Sequence, residues 1–322
     1  MTHSTKCSNN YYIAGPGTAT HDLVCNPLTS CNSSQTPYDL NHPTNGTATG
    51  DRICCMYSHI NHAVIDSANG WPNTSGRTEE CLVMSGTISI KGNFPPPLPL
   101  VRVESDLYVT GTNLTNLSML GDLESVGWGI NISDNPSLTT LAGLEQLEHI
   151  SLDIRIANNP VLNSVAALNN LKTFGDPTSN WPATLTILSN PALPIINIFN
   201  GLTYLKEGEV IITDNAGLGV IYGFEQVEHL ATVHIGHNNN LISILGFNDL
   251  KTLDGDDWTL VLTENPRLTN ISGFSSLQSV SPVGKFAIMR NGSLCPSRAT
   301  ALAAQAGVTN LDWIFENFGN CL

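Results

Sequence analysis

The feature that most constrains this chain is a short motif that recurs along it: two apolar residues one position apart, an Asn three residues later, and a Leu three residues after that. It reads Ile130-Asn-Ile132-Ser-Asp-Asn135-Pro-Ser-Leu138, then Ile154-Arg-Ile156-Ala-Asn-Asn159-Pro-Val-Leu162, then Leu185-Thr-Ile187-Leu-Ser-Asn190-Pro-Ala-Leu193. Later copies centre on Asn215, Asn238, Asn265 and Asn291. A degenerate copy, Ile88-Ser-Ile90-Lys-Gly-Asn93, comes first, and Leu107-Tyr-Val109 is a copy without the Asn. From Asn135 onward the Asn residues lie 23 to 31 positions apart, near the leucine-rich class of repeat. A single strand of period two cannot bury its apolar side alone, so the copies must stack about 4.8 Å apart around a shared core. A second apolar block completes each turn, as in Leu141-Ala-Gly143-Leu144, Ile221-Tyr-Gly223-Phe224, Ile244-Leu-Gly246-Phe247 and Ile271-Ser-Gly273-Phe274. The expected fold is mainly β: a right-handed parallel β-helix or leucine-rich-like solenoid of about nine turns, roughly 40 Å long. Ile132, Ile156, Ile187, Ile212, Ile235, Leu262 and Ile288 should share one interior column.

The recurring Asn has a structural reason to be there. At the corner after the strand its amide can accept from and donate to backbone groups that the turn leaves unpaired, within its own turn and in the next. Pro after Asn135, Asn159, Asn190 and Asn265 is expected to fix the bend and stop the strand ladder.

Both ends of the solenoid depart from simple repetition. The start is Cys81-Leu-Val-Met-Ser-Gly86-Thr-Ile88-Ser-Ile90, and the close is Ile288-Met-Arg-Asn291-Gly-Ser-Leu294-Cys295 followed by Asn310-Leu-Asp-Trp313-Ile314. These ends resemble the receptor L-domain found in insulin-receptor and epidermal-growth-factor-receptor ectodomains, over about residues 81 to 321. The resemblance implies surface recognition or assembly without naming a partner. It also implies that Cys81 pairs upstream, with Cys54 or Cys55, since members of that family close the first turn in this way. Three stretches depart from the pattern: the proline-rich 94–100, the lengthened 176–182 and the Ala-rich 299–306. Insertions at solenoid corners are tolerated.

The eight cysteines fall at 7, 25, 31, 54, 55, 81, 295 and 321, so they guard the two ends of the chain. With no C-x-x-C pair to suggest zinc, disulfides in an oxidising compartment are expected. Residues 1–80 then form a loop-rich disulfide module, 81–294 the solenoid, and 295–322 a C-terminal cap. Cys295 and Cys321 should staple that cap, with Ala301, Leu302 and Ala304 on a short helix over the last turn. N-glycosylation sequons at Asn32, Asn45, Asn73, Asn113, Asn116, Asn131, Asn270 and Asn291 agree with a secreted or cell-surface protein carrying N-linked glycans. Residues 1–7 lack the apolar segment of a signal peptide, and the end lacks a lipid-anchor tail. The expectation is therefore a processed portion of a longer precursor. A net charge of −14 disfavours nucleic acid and anionic membranes, and no apolar run approaches a membrane span.

Chemistry is sought on the outward strand positions Ser89, Tyr108, Asn131, Arg155, Thr186, Ile211, His234, Val261 and Ala287, none of them a carboxylate. A glycosidase wants two carboxyl groups about 5–10 Å apart, so no enzyme is expected. His234-Ile-Gly-His237 and His59-Ile-Asn-His62 lack a third metal ligand, Asp254-Gly-Asp256-Asp257 lacks the length and terminal Glu of a calcium loop, and Gly15-Pro-Gly17 lacks the strand and helix of a phosphate loop. No cofactor or metal is expected. An ice- or glycan-binding solenoid is a minor reading, because the outward column is too mixed for a flat ladder of hydroxyls. Two readings by protein contact remain: an assembly unit of an extracellular filament, wall or matrix, meeting copies of itself or other surface proteins, and the ligand-binding ectodomain of a receptor. The primary reading is assembly. Sequons crowd the first turns and return only at Asn270 and Asn291. Between them Leu188, Ile211 and Val261, set among Arg155, Thr213 and His234, should form the exposed apolar interface.

Overall fold

The computed structural model describes residues 11–15, 24–27, 35–38, 53–58, 62–65, 82–92 and 100–321, apart from 177, 180, 203, 206 and 207. The sequons at Asn32, Asn45 and Asn73, the Cys81 pairing, His59, the 15–17 turn beyond Gly15 and the prolines of 94–99 lie outside the described residues.

The chain winds as a parallel β-solenoid of about nine turns. Its long sheet has eleven strands, stacked in chain order from His62–Ile65 to Ile314–Phe315. The pairing is parallel throughout and in the register the motif requires: Ile130, Asn131 and Ile132 lie beside Ile154, Arg155 and Ile156, which lie beside Leu185, Thr186 and Ile187. A second face carries short parallel strands such as Ser125–Val126, His149–Ile150 and Thr173–Phe174, and a third carries Ile195–Ile198, Val220–Gly223 and Ser243–Ile244. The stack starts upstream of residue 81, because Ile53–Ser58 pairs in parallel with Leu82–Met84, and His62–Ile65 with Thr87–Gly92. Other described N-terminal strands pair antiparallel, Tyr11–Gly15 with Val24–Pro27 and Gln35–Tyr38 with Ile53–Ser58, so a strand does precede Pro16-Gly17, where none is expected from sequence.

The interior column expected from the motif is present: Ile132, Ile156, Ile187, Ile212, Ile235, Leu262 and Ile288 are all 0% exposed. Truncating one of them, as in Ile187→Ala, would cost about 2–5 kcal/mol through lost burial and the cavity left behind. The rings of Phe174, Phe199, Phe224, Phe247 and Phe274 also follow one another through successive turns with centroids 4.3 to 5.6 Å apart, the first pair tilted, the second edge-on and the last two stacked.

Asn135, Asn159, Asn190, Asn215, Asn238, Asn265 and Asn291 form a buried ladder at the corner. In one rung, Asn215 Nδ2 donates to the Ile187 and Thr213 carbonyls, both at 2.9 Å, while Asn238 Oδ1 accepts the Asn215 backbone N–H at 3.0 Å. From Asn190 to Asn291 each amide thus serves its own turn and both neighbours, whereas Asn135 and Asn159 bond only to the turns on either side. The ladder runs further at each end than the motif suggests, to the Thr112 hydroxyl on Asn135 Oδ1 and to Asn317 Oδ1, which accepts from Asn291. The bend itself comes from the residue before each Asn. Asp134, Asn158, Ser189, Asp214, His237, Glu264, Arg290 and Glu316 all adopt φ between +53° and +59°. This left-handed conformation recurs whether or not Pro follows the Asn, so Pro is an accessory to the bend and not its cause.

Cys295 and Cys321 are joined by a disulfide with Cα atoms 5.0 Å apart. The intervening helix α1 (Pro296–Gln305) opens on a proline at its first position, where the missing N–H costs no hydrogen bond. The face it buries on the last turn is Ala299, Leu302 and Ala303, followed by Ala306, whereas Ala301 and Ala304 point to solvent. Gln305 Nε2 donates to the Phe274, Ser275 and Leu277 carbonyls, closing an otherwise open end.

Candidate functional site

Along the outer face of the long sheet, register places Asn131, Arg155, Thr186, Ile211, His234, Val261 and Ala287 in one column. Ser133, Ala157, Leu188, Thr213, Gly236, Thr263 and Met289 form the next. The face is not a flat apolar patch. Over the later turns it sinks into a groove of about 970 Å³ whose floor carries Ile211, His234 and Val261. Val261 is only 6% exposed and Thr213 only 8%, so the expectation that they stand out as an exposed surface is corrected: Val261 lies at the bottom of a recess, and Thr213 is buried two strands away, outside its lining. Leu188 and Arg155 stay partly exposed on the preceding strands and do not line the groove.

One side of the groove is made by two lengthened corners. Pro182 ends the 176–182 stretch, and Asp254, Gly255, Asp256 and Asp257 form the corner before the Trp258–Thr263 strand, joined by Glu209 at the start of its own strand. Hydrogen bonds hold the second corner in place, with Gly255 N–H donating to the Ala231 carbonyl at 3.0 Å and the Thr232 hydroxyl to the Trp258 carbonyl at 2.6 Å. The opposite side carries His237, Glu264 and Met289. Carboxylates absent from the outward positions between the two inward residues of each strand are therefore supplied by the groove's edges. No cluster of three or more His, Cys, Asp or Glu suited to a metal ion occurs among the described residues.

The charges are unevenly matched. Glu264 pairs with His237 at 3.1 Å and Arg290 at 3.0 Å, and Asp257 pairs with Lys285 at 2.9 Å. Glu209, Asp254 and Asp256 have no ion pair among the described residues. Trp258 is already occupied, with Lys285 Nζ 4.8 Å from the centre of its ring and Trp313 edge-on at 5.7 Å. Burial, and then the neighbouring His237, push the His234 imidazole below its ordinary value, while Asp214 pulls the other way.

The sequons divide by accessibility. Asn113 is exposed, and Asn116, Asn131 and Asn270 are partly so. Asn291 is 0% exposed, and its Nδ2, the atom a glycan would occupy, donates to the Leu262 and Met289 carbonyls and to Asn317 Oδ1. The expected glycan at Asn291 is incompatible with this ladder and is withdrawn. Sequence reasoning missed Trp258, Glu209 and Glu264 as groove residues, and took the 254–257 corner and His237 as solvated surface. The available signal was that the 176–182 stretch and the 254–257 corner each fall just before a strand of the long sheet, which puts them on one edge of it.

Compared with known proteins, the chain matches no family model and no curated protein.

Proposed function

We propose that the chain is an extracellular, non-catalytic recognition module of the receptor L-domain kind, which holds a partner protein in the groove over Ile211, His234 and Val261. The observation that carries this reading is the position of the groove, on the outward column and beside the two corners where the repeat is lengthened. A solenoid tolerates corner insertions energetically, and their meeting at one recess gives them a purpose. The Cys295–Cys321 disulfide and the accessible sequons support an oxidising, extracellular setting. Assembly from identical copies, the primary expectation from sequence, suits this face less well. The chain carries −14, and a second copy would bring like charge to an acidic edge.

The test is a glycan placed in the groove. Ile211→Asn, with Thr213 two residues on, creates a sequon on the floor, and expression in a eukaryotic secretory host attaches the sugar. Peptides selected from a random display library on the wild-type protein should bind it, and should lose binding to the glycosylated variant by at least about tenfold. Equal binding to both forms would place recognition elsewhere.

A further inference from the structure

The groove has an apolar floor in Ile211 and Val261, with Ala231 and Met289 beside them, so its occupant must bring apolar side chains. Its charge decides what else the occupant carries. Glu264 is neutralised by Arg290 and Asp257 by Lys285, whereas Glu209, Asp254 and Asp256 face the same opening without a cation among the described residues. Because these three stand along one edge, the field across the groove is one-sided and attracts positive charge to that edge. A sugar would ask for an open aromatic face, and Trp258 does not offer one, since Lys285 covers the ring and Trp313 meets it edge-on. The groove crosses the strands that bear Ile211, His234 and Val261, a span of about 10 Å at strand spacing, which an extended chain covers in about three or four residues.

Resting on the reading of the groove as a protein-recognition site, we propose that its occupant is an extended, basic segment of a partner polypeptide, whose apolar side chains settle on Ile211 and Val261 while its lysines or arginines reach Glu209, Asp254 and Asp256. Such a segment meets the floor by burial and the edge by charge, which a second acidic copy of this chain cannot do. The like-signed surface elsewhere steers basic partners in and keeps acidic ones out.

The experiment uses the full chain and two fluorescent ten-residue peptides, one alternating Lys with Val and one alternating Glu with Val, read by anisotropy. The Lys peptide should bind, and should weaken about threefold to tenfold when Asp254→Asn and Asp256→Asn are combined, two exposed positions whose side chains make no hydrogen bond or ion pair among the described residues. Binding should also weaken as salt is raised, and the Glu peptide should not bind. Unchanged thermal unfolding of the double variant shows that the fold is intact. If the Lys peptide does not bind, or binds the double variant as tightly as wild type, the basic-segment assignment is overturned. That failure is distinct from failure of the groove reading, because library peptides that bind wild type and are blocked by the glycan at position 211 would leave the groove as a recognition site for a partner of other chemistry.

Discussion

Asn291 shows how one residue type serves two competing readings. In sequence it is both a sequon, Asn291-Gly-Ser293, and a corner Asn of the repeat, and local pattern cannot rank them. Burial ranks them: the amide is enclosed and bonded on both sides, so the ladder excludes the sugar. Peptide mapping of protein secreted from a glycosylating host should find Asn291 unmodified and sugar at Asn113. Asn291→Ala should remove no glycan mass yet destabilise the protein by about 2–4 kcal/mol, since the Asn265 N–H loses its acceptor, the buried Leu262 carbonyl loses a donor and the part-buried Met289 carbonyl loses one of two. A glycan found at Asn291 in folded protein, or an unfolding midpoint unmoved by the substitution, contradicts the ladder. Residues such as Ile132 were legible because a period of two and a constant offset to the Asn are purely local. Asn317 was not, since Asn320 stands three residues on in place of the motif's Leu and Asp312 takes the place of the first apolar strand residue, and the αL residue before each Asn was missed because Ser, His, Glu and Arg there carry no common signal.

Within each element the stacking of turns explains residues whose repetition had no stated cause. Gly223, Gly246 and Gly273 recur because one backbone presses on the next. A Cβ on Gly273 would lie 1.9 Å from the Gly246 carbonyl oxygen, and one on Gly246 would lie 2.5 Å from that of Gly223. Backbone on both sides cannot move aside as a side chain can, so Gly273→Ala should destabilise by about 1–3 kcal/mol through overpacking. Gly292 provides the control, because its Cβ would meet nothing nearer than the Pro266 oxygen at 3.7 Å, and Gly292→Ala should leave stability unchanged or slightly raised. Denaturant midpoints that fall equally for both variants would remove the stacking explanation. The strands themselves were readable from sequence, and the corners were less so. The 254–257 corner reads as a solvated acidic turn and its three carboxylates are indeed exposed, but nothing in the pattern says toward which face a corner projects. That direction, set by bonds such as Gly255 to Ala231, is what turns an apolar column into a groove and puts Val261 at its bottom.

For the whole molecule, stability is close to a sum of turns and the contacts between neighbours, because each turn touches only the turns beside it. An end turn has one neighbour instead of two, and its exposed strand edge and apolar layer must be covered by something else. At the C-terminal end the cover consists of α1, the Gln305 contacts to three carbonyls and the Cys295–Cys321 link, all within the last 28 residues. Closing a loop of 26 residues restricts the unfolded cap by about 3–4 kcal/mol in the chain-entropy account, and that benefit belongs to the end of the stack. Replacing both cysteines, Cys295→Ser with Cys321→Ser, should therefore act locally before it acts globally. Amide exchange should quicken first in α1 and in the Ile314–Phe315 and Lys285–Met289 strands, while Ile130–Ser133 and Asp153–Ala157, many turns away, keep their protection under the same conditions. The groove should respond in between, because Met289 belongs to a fraying strand while Ile211 and His234 belong to strands further in. Exchange that quickens uniformly along the solenoid in the double variant would mean that the molecule unfolds as one cooperative unit, with the cap acting on all turns alike.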